Sequence, residues 1–327
     1  MLENKVNWII TEGCNRNCSY CFAPKELTQD NSKINIRLAE KLAKSKLKAI
    51  TISGGEPLLV NNLLDIIKLL QESGIYVSLH TNGDFLTLDK IKQLKPFLGD
   101  IGIPIDSMDL GTQESRRGVG SLASFKKAYG NLNREGVKTR IHTVADKQNI
   151  TRLTAIYNYL CKGKFDSWRI YEENSEERLS EDVGDFSSDG DVDCFFARFL
   201  IAENRMRTMK DKRVKFIATE DKKPYIFLRA NGEIKYGAYF NPDSILFGNL
   251  LNEPLAKIKE RIGEQIGHGT DFEGFFRAKS NLPAWARMYE GNLDDEEWEY
   301  IETKIPLDIQ RRMIFLEQLY AKHQKAR

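Results

Sequence analysis

Gly13-Cys14-Asn15-Arg16-Asn17-Cys18-Ser19-Tyr20-Cys21-Phe22 is the stretch on which the reading of this chain turns. Three of the five cysteines, Cys14, Cys18 and Cys21, fall here at C-x3-C-x2-C spacing. Thiols this close share a task. The N-terminus, Met1-Leu2-Glu3-Asn4-Lys5, runs straight into an apolar strand with no signal-peptide core, so the expected compartment is the cytoplasm. There thiols stay reduced and serve as metal ligands more often than as disulfides. Three thiolates with no nearby His or fourth Cys do not complete a closed zinc tetrahedron. They leave a position open. An iron-sulfur cluster held by three cysteines keeps one iron for an outside ligand, unlike the four-cysteine clusters of electron transfer.

A second motif follows the apolar run Ala49-Ile50-Thr51-Ile52: Ser53-Gly54-Gly55-Glu56-Pro57. Two glycines leaving a strand adopt backbone angles closed to other residues and let a ligand come close, and Pro57 stiffens the exit.

The chain has 327 residues, 41% hydrophobic and 29% charged, with a net charge of +2. This is ordinary globular composition, and neither a nucleic-acid partner nor a membrane partner is expected of it. Apolar, β-branched runs alternate with longer amphipathic segments, the pattern of a parallel sheet with crossover helices. Strands are predicted at Val6–Thr11, Ala49–Ser53, Tyr76–Thr81, Asp100–Ile105, Lys138–Val144 and Ser167–Glu172. Helices are predicted near Ile36–Ser45, Asn61–Ser73, Leu88–Leu94, Ser121–Glu135 and Thr151–Lys162, with Gly74 and Gly136 as stops. Right-handed crossovers would curl the strands into a partial (β/α)6 TIM-like barrel over residues 1–172, with both motifs at the C-terminal ends of strands. Residues 173–250 read as an α+β extension. It opens with an acidic lid loop, continues in a helix near Phe195–Met209, and ends in short strands at Val214–Ala218, Tyr225–Arg229 and Glu233–Tyr236. The last two are joined by the turn Ala230-Asn231-Gly232. Residues 251–327 read as a helical tail, with its helix from about Leu282.

Other polar residues fall on the same face. Asn82 follows strand three, and Ser107 and Arg117 follow strand four. A hydroxyl and a guanidinium fork suit a carboxylate. On strand five Arg140 and His142 share one face, and on strand six so do Arg169 and Tyr171. Lys25, in the loop after the third cysteine, adds a further cation. Clustered Lys and Arg without overall basicity suit an anionic substrate such as a nucleotide phosphate. Cys161 and Cys194 read as buried free thiols, too few for an auxiliary cluster.

The cysteine spacing, the aromatic Tyr20 before the last cysteine and Gly-Gly-Glu-Pro some thirty residues on together resemble the radical S-adenosylmethionine (SAM) superfamily. The resemblance implies a 4Fe-4S cluster on Cys14, Cys18 and Cys21 whose fourth iron chelates SAM. It implies SAM contacts from Tyr20, Gly54, Gly55, Glu56, Pro57, Asn82, Ser107, Arg117 and Thr143. Finer matches at Val6–Asn15, Asp106–Asp109, Arg117–Gly120, Ser167–Arg169 and Ala218–Ile226 are similar to viperin and its prokaryotic relatives. This implies a ribonucleoside triphosphate as substrate, converted to its 3′-deoxy-3′,4′-didehydro antiviral analogue. The substrate contacts would be Lys25, Arg140, His142 and Arg169, and the electron donor external, such as flavodoxin or ferredoxin. The alternatives are a peptide or another small metabolite as substrate, or a non-catalytic iron-sulfur sensor, under which Gly54-Gly55-Glu56-Pro57 has no explanation.

Overall fold

The computed structural model describes residues 5–21, 32–146, 148–172, 202, 210–217, 225–237 and 245–267. Six strands pair in parallel and in sequence order: β1 Lys5–Ile9, β2 Ala49–Ser53, β3 Tyr76–His80, β4 Asp100–Pro104, β5 Thr139–Ala145 and β6 Ser167–Glu172. Between them run α1 Ser32–Ala43, α2 Leu63–Glu72, α3 Leu88–Leu94, α4 Leu110–Arg117, α5 Ser121–Glu135 and α6 Leu153–Leu160.

Alternation along the strands gives the sheet two unlike faces. Val6 and Trp8 on β1, Ile50 and Ile52 on β2, Ile101 and Ile103 on β4, Ile141 on β5, and Trp168 and Ile170 on β6 are all buried on the side that the helices cover. Each such side chain contributes about 1.5–3 kcal/mol by leaving water. The helices supply matching stripes. α2 buries Leu63, Ile66, Ile67 and Leu70, at helical i, i+3, i+4, i+7 spacing. The opposite, concave face carries polar residues, among them Ser78 and His80 of β3, Asp100 of β4, Arg140 and His142 of β5, and Arg169 and Tyr171 of β6. Gly74 (φ 79°) follows α2, and Gly136 (φ 62°) ends α5 by accepting the left-handed turn that returns the chain to β5.

The strands after residue 172 do not build a separate layer. β7 Val214–Ile217 adds in parallel to β6, and β8 Tyr225–Leu228 adds in parallel to the other edge, beside β1. β9 Glu233–Gly237 and β10 Ile245–Asn249 continue outward, antiparallel, to complete one ten-stranded sheet. The expected hairpin turn is present, with Gly232 at φ 87°. α7 Leu255–Gly267 packs against β10 and adds Leu255, Ile258 and Ile262 to the apolar cluster that runs on to β1–β3.

Two expectations change. Helix α4 was not anticipated, because its buried residues are Gln113 and Arg116 and it shows no apolar period. Cys161 is exposed, not buried: it caps α6 one position beyond the Leu153, Ile156, Leu160 stripe and so points off the packed side. The helix expected at Phe195–Met209, apart from Ala202, lies outside the described residues, as do Cys194 and the helix from Leu282. Among the described residues no helix is long and apolar enough to cross a membrane.

Candidate active site

The two sequence motifs are in contact through main chain. Gly55 N donates to Thr11 O (2.8 Å) and Glu56 N to Gly13 O (2.9 Å). This pairing explains the glycines. A Cβ on Gly54 would lie 2.3 Å from Thr11 O, and one on Gly55 would lie 2.1 Å from Gly13 O. What the glycines admit here is the segment that enters the cysteine loop, so any displacement of one motif moves the other.

Glu56 is fully buried just beyond this contact. Its Oε1 accepts from Leu58 N (2.9 Å) and the Thr81 hydroxyl (2.6 Å), and its Oε2 accepts from Asn82 N (2.7 Å). Burial pushes its carboxyl up to about 7 even though all three donors act the other way. A carboxylate so short of compensating charge is suited to meet a cation.

The cysteine loop is clasped from two sides. On one, Arg16 Nη2 meets Asp84 (2.5 Å), Asn15 Nδ2 donates to Asp84 Oδ2 (2.6 Å), and Asn82 Nδ2 donates to Asn15 Oδ1 (2.8 Å). On the other, the Tyr20 hydroxyl donates to Asp106 Oδ2 (2.5 Å), which also takes Arg117 Nε (2.8 Å), while Val144 N donates to Asp106 Oδ1 (3.0 Å). Guanidinium carbons of Arg116 and Arg117 stand 4.8 and 5.5 Å from the Tyr20 ring centre, and Ser19 N donates to Arg116 O. Arg116 is itself held by Asp146 and by Val144 O. The buried Asp106 is thus the knot between the loop and strands β4 and β5.

The thiol environment fits a cluster. Cys14 Sγ accepts from Arg16 N (3.4 Å) and faces Asn82 Nδ2 (3.9 Å), and Cys18 Sγ faces Arg117 Nη1 (3.9 Å). Donors aimed at sulfur favour thiolate ligands and tune a cluster's potential. Burial holds the Cys14 and Cys18 thiols above their usual range, so loading a metal would release protons. Among the described residues no three His, Cys, Asp or Glu side chains gather at a single-ion site.

The remaining sequence candidates scatter in informative ways. Pro57 begins a short 3-10 turn that Glu56 caps. Asn82 and Arg117 sit at the cysteines, as above. Ser107 is fully buried and its hydroxyl accepts from Asp109 N (3.0 Å), while Thr143 lies on the helix side, bonding Ile105 O and Trp168 Nε1. Arg140, near the start of β5, pairs with Asp100 (2.6 Å) at the end of the barrel away from the cysteines. His142 and Arg169 lie on the concave face, and Lys25 falls outside the described residues. Sequence reading did not single out Asp106, Arg16, Asp84, Gln113 or His80. Only Asp106 carried a signal, as a carboxylate just past strand four, at the head of the Asp106–Asp109 match.

The site is thus a parallel partial barrel with a three-thiol loop after its first strand, locked by main chain to a buried glutamate after its second. Residues 8–160, just under half of the chain, match the model of the Radical SAM superfamily. The cofactors of that family are a 4Fe-4S cluster and SAM. Among curated proteins, the S-adenosylmethionine-dependent nucleotide dehydratase of Lacinutrix mariniflava is 28% identical over 187 residues, 51% of this chain and 38% of that protein. The protein of the same name from a Fibrobacter species is 29% identical over 184 residues, 50% and 54%. The Fe-coproporphyrin III synthase of Methanosarcina barkeri is 25% identical over 205 residues, 59% and 51%. The chain thus spans about half the length of the curated relatives it matches. Among solved structures, anSMEcpe with bound AdoMet and Cp18Cys peptide superposes with a TM-score of 0.67 at 14% identity, covering 94% of this chain and 99% of that one. Streptococcus suis SuiB bound to S-adenosylmethionine gives 0.61 at 15%, covering 79% and 65%. These two likenesses concern the fold.

Proposed function

We propose that the chain is a radical SAM enzyme that acts on a ribonucleoside triphosphate and forms its 3′-deoxy-3′,4′-didehydro analogue. The observation that carries the first half is the main-chain lock between the cysteine loop and Gly54–Glu56. The second half draws on the two relatives named as nucleotide dehydratases and on the cationic residues of the concave face. When bound, the cluster supplies the electron that splits SAM to methionine and a 5′-deoxyadenosyl radical.

The chain's own residues do the rest. Cys14, Cys18 and Cys21 would hold the cluster, with SAM as its outside ligand. Glu56 offers its carboxylate to the SAM ammonium, with Gly54, Gly55 and Pro57 presenting the adjoining carbonyls. Asn82 and Tyr20 frame the cofactor, and Arg117, anchored on Asp106, supplies positive charge beside Cys18. The concave face holds the substrate with one C–H bond against the cofactor layer and keeps water out. The substrate gives its 4′ hydrogen to the deoxyadenosyl group and loses its 3′ hydroxyl as water. A proton and a second electron come from outside, the electron from a flavodoxin- or ferredoxin-class donor.

The test is 5′-deoxyadenosine release by the anaerobically reconstituted, reduced protein with each ribonucleoside triphosphate. Stimulation by one triphosphate, with a product lighter by one water, is expected. Background release that no nucleotide changes would retire the nucleotide reading, and release that survives Cys18→Ala would retire the cluster assignment. The likeness to Fe-coproporphyrin III synthase makes another small metabolite the second reading, and a porphyrin belongs in the same assay.

A further inference from the structure

The cysteine loop grips the end of a helix. Arg16, between the first two cysteines, reaches to the C-terminus of α4, where its Nη1 donates to Arg117 O (3.0 Å) and lies 3.4 Å from both Gly118 O and Val119 O. Beside it Ser19 N donates to Arg116 O (2.8 Å). The last carbonyls of a helix have no partner within it and gather partial negative charge, so a cation among them is favourable. The other arm of the fork, Nη2, meets Asp84 (2.5 Å) and Ser124 Oγ (3.4 Å). One guanidinium joins the loop to the turn after β3, the end of α4 and the start of α5.

The grip is kept against a penalty. The Arg16 side chain is only 9% exposed, and its Nε is buried without a hydrogen-bond partner among the described residues. The turn it holds reverses through Gly118 (φ 86°) and Gly120 (φ 76°), and Val119 at its tip is 87% exposed, so apolar packing does little to fix the tip. Polar contacts set its place. They come from Arg16 and from Glu114, whose O and Oε1 accept from Gly118 N (2.8 Å) and Gly120 N (2.7 Å). Arg117 is the residue so placed. Its carbonyl is held by Arg16 and its Nε by Asp106 (2.8 Å), which leaves Nη1 standing 3.9 Å from Cys18 Sγ. A positive charge there favours the more negative state of a cluster bound through that sulfur, and so raises its potential.

We propose that Arg16 is a positioning residue for the cluster: acting through the Arg117–Val119 turn, it keeps the Arg117 guanidinium beside Cys18 and so keeps the cluster reducible. The proposal rests on the reading of the three cysteines as cluster ligands. Arg16 meets a cysteine itself only through main chain, its N donating to Cys14 Sγ (3.4 Å), a contact that another residue at this position would also make. The work of its side chain is therefore done through Arg117. A clamp that served the fold alone would lower the melting temperature and leave the potential where it is.

The experiment is a double-mutant cycle on the anaerobically reconstituted full-length chain without SAM. The cluster's midpoint potential is read by electron paramagnetic resonance during a mediated redox titration, with iron per chain and melting temperature alongside. Arg16→Leu should make reduction about tenfold less favourable, a fall of about 59 mV for one electron, and Arg117→Leu should do at least as much. Once Arg117 is gone, Arg16→Leu should move the potential no further while still lowering the melting temperature. In the metal-free chain the Gly118 and Gly120 amides should exchange about tenfold faster in Arg16→Leu than in the parent. Where Arg16→Leu does not load iron, Arg16→Lys, which keeps the charge but not the fork, goes through the same cycle with the same readings. Equal falls with and without Arg117 would mean that Arg16 acts by its own charge, and an unmoved potential would make it a clamp of the fold alone; either overturns the proposal. A parent that shows no one-electron cluster signal discards the cluster reading and the proposal with it, whereas a normal parent signal with an inert Arg16 discards the proposal alone.

Discussion

Replacing Gly55 with alanine tests the lock between the two motifs. The new Cβ would lie 2.1 Å from Gly13 O, 2.5 Å from Gly13 C and 2.8 Å from Glu12 O. All three are main-chain atoms of the segment entering the cysteine loop, so no side-chain rotation relieves the overlap. The strands must part by about 1 Å, and such overpacking costs about 1–3 kcal/mol. Parting them also lengthens the Gly55 N–Thr11 O and Glu56 N–Gly13 O bonds, each worth about 1 kcal/mol net. The expected loss is about 3–5 kcal/mol, a large share of a domain's usual 5–15. Gly130→Ala is the control. Nothing lies within 4 Å of a Cβ there, on the exposed side of α5, and a gain of up to about 1 kcal/mol is expected. Urea unfolding gives the stability, and iron per chain after anaerobic reconstitution gives the state of the loop. If Gly55→Ala unfolds within about 0.5 kcal/mol of the parent and loads iron fully, the lock does not exist as described.

Asp106→Asn should cost about 3–5 kcal/mol in urea unfolding, because it leaves the largely buried Arg117 without its carboxylate; a loss below about 1 kcal/mol would show that the pair does not hold the loop. Tyr20→Phe keeps the ring beneath Arg116 and Arg117 but deletes the bond to Asp106, for an expected loss of about 1.5–3 kcal/mol in the same assay. Glu56 gives a pH signature in the SAM-free chain. Its folded value, about 7, stands above the ordinary 4.5, so its favourable contribution is complete below about pH 4.5 and is lost as pH rises through 7, about 3 kcal/mol in all. Glu56→Gln should flatten that part of the stability–pH curve, and an unchanged curve would contradict the assignment. SAM, if its ammonium meets Glu56, should bind more weakly below about pH 7 in the parent, as measured by equilibrium dialysis, and lose that dependence in Glu56→Gln.

The barrel strands were legible because each is a short β-branched run whose outer residues are wholly buried, and Gly74 and Gly136 marked the helix ends. The cysteine motif and Gly-Gly-Glu-Pro were legible as motifs because each sets its residue types at a fixed spacing just past a strand. Helix α4 was not, since Gln113 turns inward to accept from Asp106 N and Ser107 N and Arg116 turns inward to Asp146. A helix bound by polar contacts leaves no hydrophobic period to read. β10 was missed for a related reason, Ile245 and Leu246 being exposed. The commitment of Arg140 to Asp100, and of Tyr20 to Asp106, joins residues 40 and 86 positions apart, which one sequence cannot reveal. The same holds for the close contact of Gly54 and Gly55 with residues 11–13, which the sequence does not show.

The sheet order also has a consequence in time. Among the described strands β1 is the first in the chain, yet its outer neighbour is β8, with Asn7 opposite Phe227. At 5–20 residues per second a ribosome needs about 10–40 s to bridge that interval. Through all of it the edge of β1 that Phe227 and Leu228 later cover has no partner among the described strands, and Glu12 at the mouth of the cysteine loop waits for Arg229. The cysteine loop therefore gains this brace only once residue 229 is made, and a nascent chain halted near residue 172 presents an open strand edge that a chaperone or another chain can pair.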